Sequence, residues 1–277
     1  MQYNRLSLSK MRARRGRIKL LKILSYLLIP IVLFGVLVFA LHLKKTRIEG
    51  IEVVGNVSLT EGEIRERVET LISGNYFYLF PKDNIVLYPR RELVSDLSNS
   101  FKRIESVQVS LSNWRTLAVS VIEWKPHALW CLQDDISNCY FLNKYGLIFA
   151  KAPDFSGNVF FKYLGGVEGD PIGSTLLPIE KFKTIEFFVE TLDREGFSGT
   201  SILVRPNDVF ELMLKKGLSA AEAGGRLIWS DKDDFGMIVD NLKVITESES
   251  YKQKVSLGYS LDYIDLQYGS KVFYKFK

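Results

Sequence analysis

Apolar positions along the chain fall into one unbroken run followed by two stretches of short alternating and helical periods. The run is Ile23 to Leu43, ILSYLLIPIVLFGVLVFALHL, which carries no formal charge when His42 is neutral. As a helix it spans about 31 Å, the thickness of a bilayer's hydrocarbon core, and the pattern predicts a transmembrane helix over 23–43. From Arg47 the texture changes. Ile51 and Val53 share one face of a short strand that ends at Gly55-Asn56. Thr60-Glu61-Gly62-Glu63 is a capping box that opens a helix with Ile64, Val68, Leu71 and Ile72 on one stripe. A second helix is predicted near Pro89, placed at its first turn, with Leu93, Val94, Leu97 and Phe101 apolar. Two alternating strands follow, Val107/Val109/Leu111 and Leu117/Val119/Val121, with Ser112 to Arg115 as their turn.

After Pro126 the elements become shorter and more aromatic. Ala128 to Leu132 and Cys139 to Leu142 can pair as a hairpin, and YFLNKYGLIFA suggests another, bent at Asn143 to Gly146. The glycines at 165, 166, 169 and 173 read as turns, because no Lys-Ser/Thr follows them to make a phosphate loop. Pro178 fits the start of a helix with Ile179, Phe182, Ile185, Val189 and Leu192 inward, ending at Gly196. Ile202/Val204 and Phe210/Leu212/Leu214 alternate around a turn at Pro206-Asn207-Asp208. Arg226 to Trp229 reads as a strand, and a helix from about Asp233 buries Phe235, Ile238, Leu242 and Ile245. The end of the chain, LDYIDLQYGSKVFYKFK, is a hairpin: Ile264, Leu266 and Tyr268 alternate, Gly269-Ser270 turn, and Val272, Tyr274 and Phe276 alternate again.

Charge changes this picture at one place. Residues 1–22 carry eight basic side chains and no acidic one, which leaves 29 of the 37 basic residues against all 32 acidic residues in the rest. The body is slightly acidic, so net charge gives no footprint for a nucleic-acid partner. The cations before the apolar run outnumber Lys44, Lys45 and Arg47 after it, which places the N-terminus in the cytoplasm and the bulk of the chain outside. A cleaved signal peptide ending near Val38-Phe39-Ala40 is the alternative, against which stand the long basic region and the length of the run.

Candidate chemistry is sparse. The histidines are His42 and His127, and there is no Gly-x-Ser-x-Gly, no His-Glu-x-x-His and no paired acids beyond Asp233-Asp234. The inventory implies no catalytic site, no metal and no cofactor. Cys131 and Cys139 bracket a polar turn, and outside the cytoplasm a cross-strand disulfide is the natural reading. A half-made metal pair and two free buried thiols are the alternatives. The terminal strand is expected at a sheet edge, where unpaired amides and carbonyls can receive another chain. Simple packing of Tyr274 and Phe276 is the competing reading.

The strand-helix-helix-strand-strand order, IEVVGN at 51–56, Arg103-Ile104 with Val107 and Val109, and the closing TLAVSVIEWKPHALW resemble an FtsQ-type POTRA domain. Basic tail (1–22), span (23–43), POTRA domain (44–124) and β domain (125–277) together resemble the bacterial FtsQ/DivIB cell-division family over the whole chain. Trp114-Arg115 stand where that family often has a proline before the third strand. The resemblance implies an α+β fold: a POTRA domain, then a mostly antiparallel β domain with flanking helices. It further implies a non-enzymatic, single-pass scaffold at the division septum, binding FtsB- and FtsL-type partners outside the membrane. The C-terminal segment is similar to the family's Tyr-Val-Asp-Leu-Arg-Tyr, beside the surface that receives FtsB, and so implies Gln267, Tyr268, Ser270, Tyr274 and Phe276 as partner-binding. Gln267 replaces the usual arginine and removes a charged donor. The alternatives are an anchored extracytoplasmic enzyme, or a POTRA module of a secretion or sensor system.

Overall fold

The computed structural model describes residues 5–133, 135, 137–155, 159–167, 169–215 and 225–277, with the backbone alone at 5–18, 20 and 21. The side chains of the basic tail other than Lys19 and Lys22 therefore lie outside the described residues. The chain is a mixed α+β protein with six helices among those residues. It divides into two compact units, Met1–Glu123 and Trp124–Lys277.

The first unit opens with α1 (Arg5–Leu41), in which the basic tail and the apolar run form one helix with Pro30 inside it. Lys22–Leu41 has a mean hydropathy of 2.7, and by length and composition it can cross a membrane. The helix stops at Leu41 rather than Leu43, because its last carbonyls find partners outside it. The Thr46 hydroxyl donates to the carbonyls of Ala40, Leu41 and Leu43, and Asn84 Nδ2 donates to that of Leu41 at 2.9 Å.

Then come β1 (Gly50–Val54), α2 (Glu61–Ile72), a small hairpin of β2 (Asn75–Tyr76) and β3 (Phe80–Pro81), α3 (Arg90–Ser100), β4 (Ile104–Asn113) and β5 (Thr116–Glu123). The sheet order is β1-β5-β4, with β1 parallel and β4 antiparallel to β5. Ile64, Val68 and Ile72 of α2 and Leu93 and Leu97 of α3 form one core with Ile51, Val53, Val107, Val109, Leu117, Val119 and Val121. The capping box at Thr60 is present in full: Glu63 N donates to the Thr60 hydroxyl, and Thr60 N donates to the Glu63 carboxylate. Pro89 lies one position before the first turn of α3, as its cap residue. The β4/β5 turn is Trp114-Arg115 alone, since Ser112 and Asn113 still belong to the strand. Gly55 holds a positive φ of 86°, and a Cβ there would meet the Val121 carbonyl oxygen at 2.2 Å, so the close approach of the chain to β5 requires glycine.

The loop after Gly55 is fixed by one buried acid. The Glu123 carboxylate accepts from the backbone amides of Val57, Ser58 and Leu59 at 2.6, 2.9 and 3.1 Å, and from Arg103 Nε at 3.1 Å.

The second unit contains β6 (Ala128–Cys131), β7 (Cys139–Leu142), β8 (Ile148–Lys151), β9 (Lys162–Leu164), α4 (Ile179–Arg194), β10 (Gly199–Arg205), β11 (Val209–Leu214), β12 (Arg226–Ser230), α5 (Phe235–Glu247), α6 (Glu249–Ser256), β13 (Leu261–Tyr268) and β14 (Lys271–Phe276). Among the described residues its strands make one nine-stranded mixed sheet in the order β14-β13-β12-β11-β10-β9-β6-β7-β8. Parallel pairs occur at β12/β13, β10/β9 and β6/β9. The three helices supply one core with alternate strand residues, among them Phe182, Ile185, Phe188, Leu192, Ile238, Leu242 and Tyr251. Ile179, expected inward, is exposed, and Phe188 is buried instead: the inward row of α4 runs 182, 185, 188 and 192. In β6 both faces are covered. Ala128 and Trp130 join the helix-side core, while Leu129 and Cys131 join a second cluster with Phe141 and Phe149. Such a strand reads as a continuous apolar run.

Candidate functional site: the terminal sheet edge

Residues 261–276 fold as the expected hairpin, and among the described residues β14 is an edge strand of the sheet, paired with β13 alone. Its outer side therefore keeps a row of backbone donors and acceptors open. Asn241 Nδ2 on α5 donates to the Gly269 carbonyl at 3.0 Å and braces the turn.

The structure separates the five residues expected to bind a partner into two groups. Tyr268 is 57% exposed, Ser270 is exposed and Gln267 is partly exposed, its backbone N–H donating to Asp265 Oδ1 at 3.1 Å. Tyr274 and Phe276, by contrast, turn toward the helices. Their ring centroids lie 6.0 and 5.1 Å from that of Tyr251, which is buried on α6, and the Lys254 ammonium lies over the Phe276 ring. Packing on α6 is thus the place of both rings.

Tyr268 does not continue the inward row of Ile264 and Leu266. The register shifts between Asp265 and Tyr268, and this irregularity brings the Tyr268 ring to Phe273, edge to face at 5.3 Å between centroids. Phe273 is 52% exposed and pairs across the hairpin with Asp265. The result is an exposed aromatic pair at the turn end of an open strand. Sequence reading missed Phe273, although the signal was there: with Val272, Tyr274 and Phe276 inward, position 273 must face out.

Charge surrounds this pair. Lys271, Lys275 and Lys277 are exposed, and Asp262 takes Arg226, Lys275 and Lys277 at 3.4, 4.0 and 3.7 Å. Beside them Glu211, nearly fully buried, pairs with Arg205 and Arg226. Asp262 thus offsets part of the charge of three cations, and Lys271, Lys275 and Lys277 outnumber it along β14 and just after it.

Cys131 and Cys139 face each other in register on β6 and β7 and are joined as a disulfide, buried in the second cluster.

One further concavity, a cleft of about 680 Å³, lies under α4 and is lined by His127, Tyr163, Glu186, Glu190 and Asp193 among others. His127 Nε2 contacts Glu186. Burial, with the charges of Glu186 and Glu190, pushes the Tyr163 phenol well above its ordinary value, so it stays protonated. The lining residues include no serine, threonine or cysteine. Among the described residues no group of three or more His, Cys, Asp or Glu side chains is placed to hold a metal ion.

Compared with known proteins, the chain matches no family model and no curated protein.

Proposed function

We propose that this chain is a single-pass membrane scaffold of the FtsQ/DivIB kind, which holds FtsB- and FtsL-type division partners by adding an extended partner segment to β14. The observation that carries the reading is the open edge of β14 with the exposed Tyr268–Phe273 pair beside it. Backbone bonds along such an edge supply affinity, and pockets or rings beside it supply selection. The lysines on and after β14 favour an acidic partner segment. What supports the family reading is that, apart from the β2/β3 hairpin between its helices, the first unit runs strand-helix-helix-strand-strand, and that α1 before it is long and apolar enough to cross a membrane. In this reading the N-terminus is cytoplasmic, and the work is binding, without chemistry.

The test is co-purification of the full chain in detergent with the FtsB- and FtsL-type proteins of the same host. Tyr268→Ala and Phe273→Ala should each weaken the complex roughly 30-fold, the effect of losing about 2 kcal/mol at an interface anchor. Both variants should keep the melting transition of the parent, because the two rings pack mainly on each other. Unchanged binding in both would remove the site from this edge.

A further inference from the structure

The β2/β3 hairpin was not anticipated from periodicity, and its tip is unusual in three ways. Phe77 is 85% and Tyr78 96% exposed, two adjacent aromatic rings with almost nothing packed on them. Both residues have positive φ, 48° and 63°. Those are turn positions that Gly, Asn or Asp ordinarily fill, and a bulky residue there is strained. Strain kept at an exposed aromatic tip points to a use for the side chains.

The third feature is where the tip lies. Asn84 is fully buried and donates to the carbonyl of Leu41, the last residue of α1. Around it Arg47 pairs with Asp83 at 2.6 Å, Ile48 N donates to the Asp83 carbonyl, and Ile85 N donates to that of Thr46. This end of the hairpin's stem is therefore fixed to the end of the apolar helix. Four residues earlier, the Phe80 ring meets Phe34 of α1 edge to face at 6.1 Å. Residues 81–84 form a turn, Asn84 N donating to the Pro81 carbonyl, and the Phe80–Phe34 contact sets β3 against α1 at a level about 10 Å before Leu41. Phe77, Tyr78 and Leu79, the exposed tip of the hairpin, directly precede Phe80 and so lie within a few residues of that contact.

On the reading of α1 as a membrane span, that depth is inside the leaflet nearest Leu41. We infer that the Asn75–Pro81 hairpin dips into that leaflet beside α1, seating Phe77 and Tyr78 among lipid at the boundary of headgroups and acyl chains. Aromatic rings are favoured there, with the Tyr hydroxyl reaching polar groups. Lys82, whose ammonium lies over the Tyr76 ring, would meet lipid phosphate at the neck of the hairpin. The hairpin then acts as a second contact with the bilayer, which limits rotation and tilt of the first unit about its anchor.

The experiment is site-directed spin labelling of the full chain in a lipid nanodisc of zwitterionic and anionic phospholipid. The chain's two cysteines are bonded to each other, so an introduced Cys is the sole free thiol. Nitroxides go at Tyr78→Cys, at Ile31→Cys in the span, and at Val57→Cys, which is 86% exposed on the same unit. The expected result is high oxygen and low nickel-chelate accessibility at 31 and 78, with the reverse at 57. Chelate access at 78 equal to that at 57, with 31 in lipid, overturns the hairpin contact while the anchor stands. A label at 78 shielded from both reagents overturns it too, since a protein then covers the tip. Chelate access at 31 removes the anchor itself, and the hairpin inference with it.

Discussion

The ring of Phe276, one position before Lys277, packs 5.1 Å from the buried ring of Tyr251. A terminal aromatic that the family resemblance assigns to a partner is thereby also a clasp that holds β14 against α6. Phe276→Ala should lower the stability of the second unit by about 2 kcal/mol, less than for a fully buried Phe because the ring is only partly covered. Urea denaturation of the parent and the variant measures it, and a midpoint that does not move would take the ring out of the packing.

Tyr251 gives the same clasp a pH dependence. Burial, with a contribution from Tyr274, pushes its phenol from the ordinary 10 up to about 12. A pKa raised on folding contributes stability that is fully present below the unfolded value and is lost as pH rises through the folded one. Alkaline unfolding of the parent should therefore steepen between those values. Tyr251→Phe should flatten that part of the profile, as followed by circular dichroism against pH.

Glu123 behaves in the opposite sense. Burial alone would raise its pKa, but the amides of Val57, Leu59 and Ser58 and the Arg103 charge outweigh burial and hold the carboxyl below its ordinary 4.5. Its stabilisation is present above that value and is lost as pH falls through the folded pKa. Glu123→Gln should cost about 2 kcal/mol near neutral pH, the range for bonds to a charged acceptor, and the cost should shrink in acid. Paired denaturation curves at neutral and acid pH show whether the gap closes.

The disulfide closes a short loop, with a sequence separation of 8 between its cysteines. In the chain-entropy account this contributes about 2.5 kcal/mol. The double variant Cys131→Ala/Cys139→Ala should lose that amount in denaturant, and reduction of the parent should bring it to the same midpoint. Parent and reduced protein with identical midpoints would count against the bond as a stabiliser.

Much of the fold is legible in the sequence where one local pattern decides the element. Thr60 and Glu63 form their capping box because both partners lie within one turn, and Val107/Val109 with Leu117/Val119/Val121 bury one face of a sheet whose other face is wet. The missed elements lack such a pattern. Helix α6 has Tyr251 as its one buried residue, so no stripe announces it. Strand β9 has three residues, and it is a strand only because β6 and β10 flank it in parallel. The β2/β3 hairpin turns through Phe77-Tyr78, where turn chemistry would ask for Asn-Gly. At the candidate site, period two places Phe273 outward but cannot foresee the register shift that sends Tyr268 to join it, nor that α6 claims Tyr274 and Phe276.

The central claim is that a partner segment pairs with β14, and backbone hydrogen exchange reads that pairing directly. The full chain in a nanodisc should be compared alone and with the FtsB- and FtsL-type proteins of its host bound. Amides of Lys271–Phe276 that point away from β13 exchange freely in an open edge and should slow by orders of magnitude in the complex. Those already paired to β13 should change little. Protection elsewhere in the second unit with the outer amides of β14 still exchanging as in the free chain would contradict strand addition and place the partner on another surface.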